Sequence, residues 1–202
     1  MYALVTNNEI TKFINHPKSL VIGDVRYPAK IFSVWSASEL NAIGIYEVIF
    51  DNSNKKDEQW YINTNQSYDF DGNEVTASYG SATAKAHADR NATDKDGVEL
   101  DPVVVIEGLK TVLIRTLKQQ VANELARTDW YITRNTEKST AIPSAISTHR
   151  DAVRTKQAEM ETAITNASNT PALETLYKYV NIGTEENPVH ERPLGELPTL
   201  ES

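Results

Sequence analysis

The chain has 202 residues, 40% of them apolar, with three tryptophans, no cysteine and a formal net charge of −8. That length accommodates one sizeable domain or two small ones with a real core, and the acidic balance argues against nucleic acid as the main partner, because the chain repels phosphate backbones. The absence of cysteine excludes disulfides, thiolate metal sites and cysteine catalysis.

The first residues, Met1 to Phe13, lack the basic start and apolar run of a signal peptide. No apolar run approaches the roughly 20 residues that span a bilayer. The expectation is a chain without membrane insertion, kept in a cytoplasm or built into a particle assembled there. Charge divides it into three parts. Residues 1–101 carry 9 basic and 15 acidic side chains, residues 102–180 carry 10 and 8, and residues 181–202 carry 1 and 5.

Residues 1–80 read as a β-rich docking module. Tyr2 to Val5 is a short strand, and two more, Leu20 to Ile22 and Val25 to Tyr27, flank a Gly23-Asp24 turn. Pro28 ends that run. Ser36 and Glu39 form a capping box for one helical turn, and Gly44 stops it. Ile45 to Phe50, rich in β-branched and aromatic residues, is the strongest strand. Gln59 to Ile62, Tyr68 to Phe70 and Val75 to Tyr79 follow, with a turn at Asp71-Gly72-Asn73. The predicted architecture is a small antiparallel meander with one short helix.

Residues 81–101 are small, polar and charged, which predicts a connector. The region 102–180 changes period. Asp101 and Pro102 suit a helix start, although the apolar run Val103 to Ile106 is also strand-like. Leu109, Leu113, Leu117, Val121 and Leu125 recur every four residues along one helix face. The pattern continues through Trp130 and Tyr131 to Arg134. Residues 139–142 break it, and Pro143 opens a return helix with Ile146, Val153, Met160 and Ile164 on one side. Thr170-Pro171 starts a short third helix. The fold class is therefore α+β: the β module, then an αα-hairpin with a short third helix. Residues 181–202, with three prolines and five glutamates, are expected as an extended acidic tail that does not fold alone and is ordered by a neighbouring chain.

Few patterns carry chemistry. His16, His87, His149 and His190 share no metal-ligand spacing. No GxSxG elbow or phosphate-cradling glycine loop is present. Residues 94–101 invite a calcium reading, but counting from Asp89 puts Asp94 where the loop needs glycine and Leu100 where it needs glutamate, so a solvated turn is expected. The carboxylates of residues 69–74 have the same standing. The expectation is a non-enzymatic chain without cofactor or metal. Trp60, Tyr61 and Tyr68 are the candidate partner-binding or glycan-binding aromatics, provided they are exposed.

Antiparallel pairing about a turn near residue 139 sets Trp130 opposite His149 and Arg150, and Ala126 opposite Val153. Arg150 and Arg154 share a helix face. Arg150 is expected to stack on Trp130 or to pair with Asp129. A packed Trp130 would cost about 3–5 kcal/mol on truncation to alanine. In the alternative, Trp130 and Tyr131 are exposed and anchor a partner.

The run Leu125-Ala126-Arg127-Thr128-Asp129-Trp130-Tyr131-Ile132-Thr133-Arg134, with Glu137, Ile142-Pro143, Arg150 and Arg154, resembles a segment of tail-associated structural proteins of tailed bacteriophages. Residues 27–48, with Tyr27-Pro28, Trp35, Ser36, Glu39, Gly44-Ile45 and Val48, are similar to an entry module of the same proteins. No catalytic residue belongs to either pattern. The resemblance implies a virion protein of the tail, baseplate or fibre attachment, assembled in the host cytoplasm. It also implies other tail proteins as partners, and a homo-oligomer is expected in such a position. A fibre-assembly chaperone not retained in the particle is the alternative, and a glycan-binding or glycan-cleaving protein of the host surface is a third.

Overall fold

A computed structural model describes residues 1–200; Glu201 and Ser202, the end of the expected tail, lie outside the described residues. The chain is α+β and forms two compact units, Met1–Thr83 and Ala84–Ser202.

The first unit is built on five strands: β1 (Tyr2–Thr6), β2 (Glu9–Ile14), β5 (Ile45–Asp51), β7 (Gln66–Phe70) and β8 (Val75–Tyr79). Their order is β2-β1-β5-β8-β7. Asn7 and Asn8, both at positive φ, turn β1 into β2, a conformation that suits asparagine and matches strand twist. A separate hairpin joins β3 (Leu20–Ile22) to β4 (Val25–Tyr27) across Gly23-Asp24, and the short strand β6 is Tyr61–Ile62. Helix α1 (Ile31–Val34) was not read from sequence, whereas α2 (Ala37–Asn41) carries the expected capping box. Gly44, at φ +81, ends that turn where a Cβ would lie 2.5 Å from the Val5 carbonyl oxygen.

Alternation in β1 supplies two cores. Ala3 and Val5 join Val48, Val75 and Ala77 in one cluster. Tyr2 and Leu4 pack against the other, made of Ile14, Leu20, Ile31, Leu40 and Ile45. The expected all-antiparallel meander is corrected in one respect. β5 and β8 run parallel, which makes the sheet mixed. The long segment after β5 carries the chain past one strand position to β7 at the edge. The Asp71 turn then brings β8 back between β7 and β5, so the reversal falls on the β7–β8 pair. The sheet curls until its edge strands approach: Phe13 of β2 and Tyr68 of β7 have ring centroids 4.5 Å apart.

The second unit contains α3 (Leu109–Ala126), α4 (Asp129–Lys138), α5 (Ser144–Asn166) and α6 (Thr170–Tyr177). The helix expected from Pro102 begins seven residues later. Val105–Ile106 instead pairs with Arg90–Asn91, and Thr93 bridges Glu99, so residues 81–101 are not structureless. Residues 86–89 cross the start of α3. Ala86 and His87 carbonyls accept from the N–H groups of Leu109 and Lys110. Asp89 accepts from Gly108 N–H at 2.7 Å and from the Thr111 hydroxyl. A Cβ on Gly108 would lie 2.4 Å from the Ala88 oxygen, so only glycine permits this crossing.

α3 and α5 form the expected antiparallel hairpin. Leu113, Leu117 and Val121 face Ile146, Val153, Met160 and Ile164 in its core. Pro143 occupies the cap position of α5, where its missing N–H has no helical partner to lose. Asn169, not Thr170, caps α6 by accepting from Ala172 N–H. The buried Thr170 hydroxyl donates to the Lys85 carbonyl at 2.6 Å.

The extended tail is a correction. Val180–Asn181 pairs with His190–Glu191, and Leu194 is buried with its N–H on the Leu176 carbonyl. Tyr179 donates to Glu196, and Arg192 binds Glu196 at 2.7 Å while lying over the Tyr177 and Tyr179 rings. A few apolar and aromatic anchors thus fold the segment onto its own chain despite its prolines and charge.

Candidate interaction surface

The helical stripe of α3 does not continue into α4. At Thr128 the backbone leaves the helix (φ −117°, ψ 4°), and its buried hydroxyl donates to the Leu125 carbonyl. Arg150 reaches this break from α5. Its Nη1 donates to Leu125 O at 2.8 Å, Thr128 Oγ1 at 2.7 Å and Asp129 Oδ1 at 2.8 Å. One buried guanidinium therefore joins the end of one helix to the start of the next. Of the two expected contacts, the pairing with Asp129 forms and the stacking on Trp130 does not.

One residue earlier on α5, the buried His149 ring meets Glu124 at 3.1 Å. Burial pushes the Glu124 carboxyl up, but the Arg127 guanidinium and the His149 ring outweigh it, so the group titrates below its ordinary value.

The break resets the helical phase, and this corrects the packed Trp130. α4 buries none of its residues, and Trp130 is 51% exposed. The Trp130 ring lies 3.7 Å from that of Tyr131, centroid to centroid. The Arg134 guanidinium sits 4.9 Å from the indole and 5.6 Å from the phenol. Its Nε is shielded from solvent and makes no hydrogen bond, and among the described residues it has no carboxylate partner. Ile132 adds exposed apolar surface on the same helix. Trp, Tyr and Arg are the residue types that dominate binding energy at protein interfaces.

The remaining candidates separate. Arg154 is exposed and pairs with Asp151 in its own helix, and Pro143 acts on the backbone alone. In the first unit Trp60 is buried at 3% exposure, which removes it from any binding surface. Tyr61 is half-buried. Tyr68 keeps 36% exposure against Phe13.

Asp94 and Asp71 close their own turns, accepting from Asp96 and Val98 N–H and from Asn73 and Glu74 N–H respectively. Among the described residues no three His, Asp or Glu side chains group as a metal site, and no helix is long and apolar enough to cross a membrane. A groove of about 410 Å³ lies between α3 and the C-terminal segment. Its charges are already paired, Arg127 with Glu124 and Arg192 with Glu196.

A surface that sequence reading missed is the C-terminal hairpin. Ile182 N–H donates to the Val189 carbonyl, Thr184 N–H to Asn187 O, and Asn187 N–H to Thr184 Oγ1. These bonds hold Glu185 and Glu186 at the tip, flanked by Ile182 and Val189, 58% and 47% exposed. The β-branched residues Val180, Ile182 and Val189 on either side of a polar turn were the available signal.

Comparison with protein-family models, curated proteins and solved structures finds no match to this chain.

Proposed function

We propose that the protein is a non-enzymatic structural component of a bacteriophage tail, of the tail itself, the baseplate or the fibre attachment, and that it works through protein–protein contacts. The observation carrying this reading is the exposed Trp130–Tyr131–Arg134 cluster on α4. It lies within the stretch that resembles phage tail proteins. The Arg150 tether also supports it, because a pre-set anchor loses little entropy on binding.

Mass spectrometry of purified particles tests the reading. The chain should be present in a fixed ratio to the major tail protein, and its absence from the particles would overturn a virion role. Trp130→Ala should lower incorporation by about tenfold or more, the loss typical of a central interface aromatic.

A further inference from the structure

We infer that copies of this chain join head to tail, with the Glu185–Glu186 hairpin tip of one seated on the Trp130–Tyr131–Arg134 cluster of the next. The inference rests on the reading of that cluster as a contact surface and names its occupant.

Charge complementarity selects the occupant. Arg134 presents a guanidinium braced on two rings, without a carboxylate among the described residues. Such a group matches a carboxylate in planar, two-point geometry. Glu185 and Glu186 are adjacent, exposed and without a cation among the described residues. Several other acidic loops are already engaged: Glu58 lies near Lys55, Asp96 near Lys95, and Asp51, Asp57, Asp71 and Asp94 accept backbone N–H groups.

Apolar complementarity agrees. The tip is flanked by exposed Ile182 and Val189, and the cluster offers the exposed Trp130 ring with the Tyr131 ring beside it. Both surfaces are held before contact, the tip by its turn hydrogen bonds and α4 by Arg150. Because two different surfaces meet, the contact is heterologous, and repetition gives a closed ring or an open filament.

Sedimentation velocity of the full chain from about 1 to 200 μM tests this. The wild type should show concentration-dependent association, and Arg134→Glu should weaken it about tenfold or more. Glu185→Lys with Glu186→Lys should do the same; these exposed turn positions also serve as the readout if Arg134→Glu fails to fold. Combining the reversals on both surfaces should restore association to within about threefold of wild type. A wild type that stays monomeric throughout overturns the inference. So does association that survives either single reversal, or a combined variant that stays as weak as either. A monomer that is nevertheless incorporated into particles would overturn this contact while leaving the tail role standing.

Discussion

Arg150 and Asp129 are bonded at 2.8 Å across the point where α3 gives way to α4. The same nitrogen holds Thr128 and the last carbonyl region of α3. Arg150→Met would remove one buried charge-assisted donor from the Thr128 hydroxyl, the Leu125 carbonyl and Asp129, which leaves the hydroxyl only its own bond to that carbonyl. The expected loss is about 2–4 kcal/mol in urea unfolding. Arg150→Lys should recover less than half, since the shorter lysine stem leaves its ammonium short of the position that Nη1 occupies.

Trp130→Ala is expected to change folding stability by less than about 1.5 kcal/mol, because the ring is half in water and loses mainly its contacts with Tyr131 and Arg134. Leu173→Ala, at a fully buried site on α6, should cost about 2–5 kcal/mol. Thermal unfolding of the two variants side by side checks the contrast. Equal losses would return Trp130 to the core.

Gly44→Ala should destabilise the first unit by about 2 kcal/mol or more. The substitution meets a left-handed φ and a backbone oxygen that belongs to β1. Gly72→Ala shares the positive φ but meets open space, so it should cost clearly less. Chemical denaturation followed by fluorescence separates the two.

Acid should weaken both units through carboxylates whose folded pKa is depressed. Hydrogen bonds from the Ser36 N–H and hydroxyl lower Glu39, those from Glu74 and Asn73 N–H lower Asp71, and those from Gly108 N–H and Thr111 lower Asp89. The unfolded chain binds these protons more readily than the folded one. Their contribution is therefore complete above the unfolded values of about 3.9–4.3 and fades as pH falls through the folded values. Urea midpoints should be insensitive to these groups near pH 7 and fall between about pH 5 and pH 3. Asp89→Asn should flatten that fall for the second unit; an unchanged slope would remove Asp89 from the account.

Local signals were legible where one residue type has one use. Ser36 with Glu39 marked α2, Gly23 marked the β3–β4 turn, and Pro143 with Ile146, Val153, Met160 and Ile164 marked α5 and its buried face. What depended on distant pairing was not legible. The β5–β8 parallel pair requires knowing which edge β7 takes, and nothing in its residues states that. β2 was overlooked because Glu9 to Ile14 alternates weakly and its turn relies on two left-handed asparagines. The Trp130 error arose at Thr128, where a cap-type residue stops α3 and turns the next face outward. Thr128-Asp129 was the available warning. For the tail, overall composition outweighed Tyr179, Arg192 and Leu194, the three side chains that anchor it.

The contact between Phe13 and Tyr68 bears on the exposed edges of the first unit's sheet. An open five-stranded sheet offers two rows of unpaired backbone groups to any extended segment nearby, a standing invitation to mispairing. Here the two outermost strands are drawn together by an aromatic pair, so a foreign strand must first pry that pair apart. The curl thus guards the edges of the sheet against pairing with a foreign strand.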